Sequence, residues 1–331
     1  MLPLVTIVTP TYSAAHWLPQ CRASVEAQTY PNIEHVVIDG GSTDGTVELL
    51  RSWADVTWRS EPDDGQSDAI VKGFALGTGE ILTWLNADDE LAPDAVQTVV
   101  DTMRARAASW VVGAAEIREG GSSRVVRPRR VSLRQLDLSN PIVQPSSFYT
   151  REALERAGGI DTNLHLTMDL DLWLRLLNVR IRPALVQDVL SIAHLHEDAK
   201  TRAVPAQRWY WELGVARAKN GRAAAAAVEL GRSFVEGLPA APAPAAEDVA
   251  REVDLFRQAL KEQGLVVPRR PLAAGVRTRL AVRFGGGDAR RRLRYLLAPE
   301  PWTTRQTLAE LGGAARTRLT SRRPSDAAHL S

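Results

Sequence analysis

Cysteine occurs once in these 331 residues, as Cys21. A single thiol excludes an internal disulfide framework and a cysteine-built zinc site. A reducing, cytoplasmic setting is the expectation. No run of about eighteen uncharged apolar residues is present, so no membrane span is expected. No cationic leader stands before an apolar core at Met1-Leu-Pro-Leu-Val5, so no secretion signal is expected. No Gly-x-Gly-x-x-Gly follows the first candidate strand. The turn there reads Thr9-Pro-Thr-Tyr-Ser-Ala-Ala15, which argues against a nicotinamide-dependent Rossmann enzyme. No segment repeats at a fixed period. No interleaved aromatic and basic pattern marks a nucleic-acid partner.

What is present is an alternation. Leu4–Thr9, Ile33–Ile38, Val56–Trp58, Ile81–Leu85 and Ser109–Gly113 read as short β-branched or apolar strands. Helical stretches separate them: His16–Gln28 with Ser13 as its cap, Thr43–Ala54, Ser67–Ala75, and one opened by Pro93 and running to Ala107. Strands alternating with helices predict a mostly parallel sheet covered on both faces. The alternation weakens from Arg118. Short helices over Ser132–Leu136 and Thr150–Ala157, a stronger one over Asp169–Asn178 and a strand over Val186–Ala193 are expected there.

Past Thr201 the composition changes. Trp209-Tyr-Trp211 opens a helical region, Gly237–Ala246 reads as a Pro/Ala linker, and the rest is Arg-rich with a break at Gly285–Gly287. Charge divides at the same place. Residues 1–199 hold 17 Lys+Arg against 27 Asp+Glu, and residues 200–331 hold 24 against 12. The basic part suits an anionic surface. Ala289–Leu297 mixes arginines with leucines as an interfacial helix does, so peripheral contact at the inner face of a membrane is expected from it. A helical arm for self-association or acceptor docking is the rival use of that tail.

Chemistry gathers where the strands end. Thr9-Pro10-Thr-Tyr12 closes the first. Asp39 and Asp44 follow the second. Glu61–Asp68 follows the third. Asn86-Ala87-Asp88-Asp89 follows the fourth. Carboxylates converging on the carboxyl edge of one sheet repel unless a cation or donor groups meet them. A nucleotide with a divalent metal meets them, since hard oxygens suit Mg²⁺ or Mn²⁺ held by one or two carboxylates and substrate phosphates.

Pro10-Thr-Tyr12, Ile38-Asp39-Gly-Gly-Ser-Thr-Asp44-Gly-Thr46, Gly65-Gln-Ser-Asp68 and Leu85-Asn-Ala-Asp88-Asp89 resemble, in order and spacing, the family 2 glycosyltransferases. The resemblance covers about residues 4–201. It implies the GT-A fold, an α/β architecture, over 1–201, with a donor half over about 1–115 and an acceptor half over about 116–201. Residues 202–331 would form a mainly helical, basic extension. It implies inverting transfer of a sugar from a nucleoside diphosphate donor, UDP or dTDP in type, with Mg²⁺ or Mn²⁺. The acceptor would be a hydroxyl on a glycan, a lipid-linked molecule or a small molecule.

Carried over by position, the resemblance gives Thr9, Pro10, Tyr12 and Asp39 to the nucleoside, and Asp68 and Lys72 to the base, ribose or phosphates. Asn86-Ala87-Asp88 occupies the family's Asp-x-Asp position, with an amide for the first carboxylate. Asp88 is then the principal carboxylate on the metal, and Asn86 a partner for a ribose hydroxyl. Thr167-Met-Asp-Leu-Asp-Leu-Trp173 resembles the segment whose Glu-Asp pair supplies the catalytic base. Met168 stands for the Glu and Asp169 for the base, with Asp171 as second choice. His194-Leu-His-Glu-Asp-Ala-Lys200 resembles the segment that closes on the diphosphate, giving His196 to the metal and Lys200 to a phosphate. Gln144 and Ser146 fall in the stretch beneath sugar and acceptor. Trp173, four residues past Asp169, offers an apolar face for a sugar ring. Asn86 and Met168 also support a second reading, a nucleotide-sugar binding protein that has lost catalysis.

Overall fold

The computed structural model describes residues 2–197, 204–237 and 246–284, with the side chains of 246–252 and 277–284 left aside. The chain divides into two compact units, Met1–Ala203 and Val204–Ser331.

The first unit is built on one sheet. Its strands are β1 (Val5–Thr11), β2 (Ile33–Asp39), β3 (Thr57–Ser60), β4 (Ile81–Trp84), β5 (Glu90–Leu91), β6 (Trp110–Glu119), β7 (Ser122–Val126), β8 (Ser147–Thr150) and β9 (Ala184–Leu195). They lie in the order β3-β2-β1-β4-β8-β6-β9-β5, with β7 paired to β6. The first four strands are parallel to one another. Every residue of β1 and β4 is buried, as expected of parallel strands covered on both faces. From β8 onward the sheet turns mixed. β8 runs antiparallel to both β4 and β6, and β9 rejoins β6 in parallel.

Helices α1 (Leu18–Glu26), α2 (Thr46–Ser52), α3 (Gln66–Leu76) and α4 (Ala95–Arg106) link the early strands. Helices α5 (Leu133–Leu138), α6 (Arg151–Arg156) and α7 (Met168–Asn178) belong to the later part. Helices α1 and α2 start later than the sequence suggests. Ser13 does not cap α1. It takes φ +51 and donates its N–H to Ser42 Oγ, while Pro19 fixes the start of the helix further on. Before α2, the Asp44 carboxylate accepts from the N–H and hydroxyl of Thr46, and Gly45 takes φ +99. That local turn competes with an earlier helix start.

The core of the first unit joins Val5 and Ile7 of β1 to Val96, Val99 and Val100 of α4 and to Val111, Phe148 and Leu190 of the later strands. The second unit is helical: α8 (Ala206–Lys219), α9 (Ala223–Glu236), α10 (Ala246–Glu262) and α11 (Arg269–Phe284). Its core is Ala226, Ala227, Leu230, Val253, Leu260, Leu272 and Val276. Helices α9 and α11 cross at glycines. A Cβ on Gly275 would lie 2.2 Å from the Val228 carbonyl oxygen. Among the described residues no helix is long and apolar enough to cross a membrane. Most of the expected Pro/Ala linker, Lys200 and the Ala289–Leu297 segment lie outside the described residues.

Candidate functional site

The parallel register sets Thr11, Asp39 and Ser60 side by side at the carboxyl edge of β1, β2 and β3. Asp39 is fully buried. Its Oδ2 accepts from the Gly41 N–H (3.1 Å), the Ser42 N–H (2.9 Å) and Ser60 Oγ (2.6 Å), and its Oδ1 from the Ser42 hydroxyl. These donors hold the turn after β2. At the next residue a Cβ on Gly40 would lie 2.9 Å from Asp63 Oδ2, so a larger residue there would push that carboxylate aside. Asp63 Oδ1 in turn accepts from the Gly65 N–H at 2.8 Å, and Gly65 takes φ +100 at the start of α3. Opposite Gly65 stands His165 of the loop before α7, 3.2 Å from where a Cβ would be. Ser67 also donates to the Leu164 carbonyl of that loop. On the same helix Asp68 pairs with Lys72 at 2.9 Å, and the ammonium group holds this carboxyl below its ordinary range. Tyr12, just past β1, is 71% exposed, and Pro10 is buried within the strand.

Past β4 the chain makes a polar cluster. Asn86 Oδ1 accepts from Gln66 Nε2 at 2.6 Å, and Asn86 Nδ2 donates to Asp89 Oδ2 at 3.0 Å. Asp89 is buried and also accepts from the His194 N–H at 3.3 Å. Burial, then the neighbouring Asp88 charge, pushes its carboxyl well above the usual carboxylate range. Ala87, between Asn86 and Asp88, packs into the cluster of Ala14, Leu18 and Leu50. Asp88 Oδ2 meets His196 Nε2 at 3.2 Å, and both side chains keep some exposure, 30% and 20%. The His196 ring lies on Trp17, with centroids 4.5 Å apart and planes at 24°. Its Nδ1 is buried without a hydrogen-bond partner. One hard oxygen beside one imidazole nitrogen, both reachable from solvent, fits a divalent cation that completes its shell on a diphosphate. Among the described residues there is no group of three or more His, Cys, Asp or Glu side chains for a dedicated protein cage.

The later elements supply the opposite wall. Gln144 Nε2 donates to the Trp84 carbonyl at 2.8 Å, just before Asn86, and its Oε1 is buried without a partner. Asp169 is the second residue of α7, half-buried, and its Oδ1 accepts from the Leu170 N–H at 2.7 Å. A carboxylate in the first turn is favoured as the anion. Burial, with the nearby Asp169 charge adding to it, pushes the Tyr149 hydroxyl upward. Tyr149 stacks on Trp84 at 6.1 Å. The Asp169 end of α7 is thus linked through Tyr149 to Trp84, the last residue of β4, two residues before Asn86.

Four expected ligand-facing side chains are turned inward instead. Thr9 Oγ1 bonds His35 Nε2 at 2.9 Å in the interior. Ser146 Oγ donates to the Ala114 carbonyl at 2.9 Å and meets Ser191 Oγ. Trp173 has no exposed surface, and its indole N–H donates to Tyr149 at 2.7 Å. Asp171 is buried against Arg175, with Oδ2 2.8 Å from Nε and 2.7 Å from Nη2. In each case an internal polar partner, and for Trp173 the core, takes the side chain away from solvent.

Sequence reasoning passed over Trp17, Gln66 and His165. Gln66 lies inside a motif already singled out, so its neighbourhood was visible. Trp17 and His165 carry no local signal, because their partners come from distant parts of the chain.

A model of the family described as glycosyl transferase family 2 matches residues 6–164. An uncharacterized glycosyltransferase of Mycobacterium tuberculosis is 32% identical over 179 residues, covering 52% of this chain and 68% of the relative. A PGL/p-HBAD biosynthesis glycosyltransferase of Mycobacterium bovis is 37% identical over 94 residues, covering 27% of this chain and 37% of the relative. Among solved structures, Staphylococcus aureus TarS 1–349 in complex with UDP-GlcNAc superposes with a TM-score of 0.61 at 15% identity, covering 97% of this chain and 93% of that one. Mannosyltransferase PcManGT from Pyrobaculum calidifontis, in complex with GDP-Man and Mn²⁺, gives 0.50 at 22% identity, covering 98% and 89%. These likenesses identify the GT-A fold.

Proposed function

The chain belongs to glycosyl transferase family 2, and from that premise we propose that it moves a sugar from a nucleoside diphosphate donor, UDP or dTDP in type, to an acceptor hydroxyl with inversion. Residues 1–201 are the catalytic unit, with its donor half over about 1–115 and its acceptor half over 116–201. Residues 202–331 are a helical, basic appendage. We place the reaction on the cytoplasmic side. The observation that carries the reading is Asp88 beside His196 just past β4, two residues after Asn86, which Gln66 of α3 bonds. The donors bound in the two solved neighbours, UDP-GlcNAc and GDP-Man, support a nucleotide-sugar donor, and the Mn²⁺ in one supports a divalent metal.

Asp39 and Tyr12 border the nucleoside, Tyr12 through its exposed ring. Asp68 and Lys72 stand on α3, whose first residue, Gln66, bonds Asn86. Asp88 and His196 hold the metal, which when bound neutralises charge developing on the departing diphosphate. Lys200 serves a phosphate oxygen. An acceptor hydroxyl has a pKa far above neutrality and must lose its proton as it attacks. Asp169 takes that proton as general base. Inversion by single displacement asks for no protein nucleophile. Gln144, anchored to the Trp84 carbonyl and with its own side-chain oxygen left without a hydrogen-bond partner, orients a sugar hydroxyl.

A thermal-shift series with UDP, dTDP and GDP, each with and without Mn²⁺, tests donor and metal together. A ligand bound only by the folded chain raises the melting point. Donor turnover by the native chain and by Asp169→Asn tests the chemistry. Donor binding with no turnover in the native chain identifies instead a nucleotide-sugar binding protein.

A further inference from the structure

The first unit has a surplus of carboxylates, yet five of its arginines crowd into one short stretch: Arg124, Arg127, Arg129, Arg130 and Arg134. All five are exposed. None makes an ion pair with another described residue, whereas Arg22, Arg51, Arg118, Arg156 and Arg175 of the same unit each do. The stretch is not a loose loop. Pro128, Val131 and Leu136 are buried and pin it to the body, Ser132 caps α5 through the Gln135 N–H, and the arginines are the residues left outside. Two large apolar side chains stand exposed among them, Leu138 at 77% and Val125 at 40%. The stretch also leads into the site. Helix α5 packs on α7, which carries Asp169, and the chain continues to Gln144 beside Trp84.

Five unpaired guanidinium groups within one short stretch of an otherwise acidic unit concentrate positive potential there. Cations interleaved with exposed apolar side chains suit the interface of an anionic bilayer, where arginines meet headgroup phosphates and leucine enters the acyl boundary. We infer that the Arg124–Leu138 stretch is a membrane-docking face of this first unit. It seats the unit on anionic phospholipid with the acceptor side of the site turned toward the bilayer. This contact is separate from any made by the basic segment past residue 284, and it does not depend on the transfer reaction.

Co-sedimentation of the full chain with vesicles tests it. The probes are phosphatidylcholine vesicles with about one third phosphatidylglycerol, and phosphatidylcholine alone. The native chain should partition to the anionic vesicles and not to the neutral ones. The variant R124Q/R127Q/R129Q/R130Q/R134Q should lose at least about tenfold in partitioning, with an unchanged melting point because all five side chains are exposed. Leu138→Ser should lose about threefold. A five-fold variant that sediments like the native chain overturns the inference and leaves the membrane to other surfaces. So does native binding to soluble tripolyphosphate that matches binding to anionic vesicles, since the face would then read polyanions in solution.

Discussion

The indole of Trp17 lies flat against the imidazole of His196, centroids 4.5 Å apart, and turns Nε2 of that ring toward Asp88. Trp17 occupies the N-cap of α1 and makes no capping hydrogen bond. Serine, aspartate or asparagine would stabilise that helix end by about 1 kcal/mol more. The position is given up to a stacking surface instead. Trp17→Ala should weaken Mn²⁺ binding in the presence of UDP about tenfold, because the imidazole gains rotational freedom. Trp17→Phe should restore most of it. Titration of free Mn²⁺ by electron paramagnetic resonance measures both. Equal affinity in the alanine variant and the native chain would show that the stack does not position the ligand.

Asp169→Asn keeps the shape of the side chain and removes its basicity. Transfer should fall by about three orders of magnitude while donor affinity stays within about twofold, since a general base contributes 10²–10⁴ in rate. Single-turnover transfer and a separate UDP titration read the two quantities. Loss of donor binding in step with activity would assign Asp169 to the donor.

The parallel half of the sheet was open to sequence reading because its strands are short and rich in β-branched residues, with β1, β4 and most of β2 buried on both faces. The acidic residues just past them, Asp39 and Asp88, could be placed at the sheet edge for the same reason. That double burial also hides direction. A period of two tells which residues share a face, but when both faces are packed nothing marks the face with the ligand. Thr9 and Ser146, which the resemblance gave to ligands, turn their hydroxyls inward, onto His35 and Ser191. Strand β8 could not be read at all. Its four residues pair antiparallel on both sides and lack any alternation of their own. Nor could the His196–Trp17 stack be foreseen, since it joins the end of β9 to the start of α1.

Asn86→Asp would restore the family's acidic pair but must break an internal bond. Asn86 Nδ2 donates to Asp89, which is buried and already disfavoured as an anion beside Asp88. A third carboxylate there loses that donor and adds repulsion. Without metal the variant should melt lower, by roughly 1–3 kcal/mol of stability. With Mn²⁺ and UDP its stabilisation should exceed that of the native chain. Asp88→Ala should abolish the metal-dependent part of the shift. Thermal melting of the three proteins, with and without Mn²⁺ and UDP, checks both. A metal-dependent shift that survives in Asp88→Ala would move the metal elsewhere.

Asp171 offers a contrast with Asp169 two residues earlier. Its carboxylate is buried against Arg175, whose guanidinium also donates to the Ala157 carbonyl. Removing one partner of such a pair strands the other. Asp171→Ala should destabilise the chain by about 3 kcal/mol. In the folded fraction, the Michaelis constant for the acceptor should be unchanged. Urea unfolding and acceptor kinetics separate the outcomes, and a raised acceptor constant at native stability would return Asp171 to the binding site.

Acid should weaken the fold through His35. Burial, with the charge of Arg22 adding to it, pulls this imidazole down to about 4 from its ordinary 6.5, and the neutral ring bonds Thr9. Between these two values the unfolded chain binds a proton at His35 that the native chain refuses. Stability is therefore fully present above about pH 6.5 and falls as the pH drops toward 4, by an amount on the order of 3 kcal/mol for a shift of this size. His35→Gln can still bond Thr9 and does not titrate. Its unfolding free energy at pH 7 should be lower than that of the native chain, through imperfect packing. Its loss between pH 7 and pH 4.5 should be smaller by about 2–3 kcal/mol. Urea midpoints across that range compare the two, and parallel curves would mean that His35 is not the group whose protonation opens the fold.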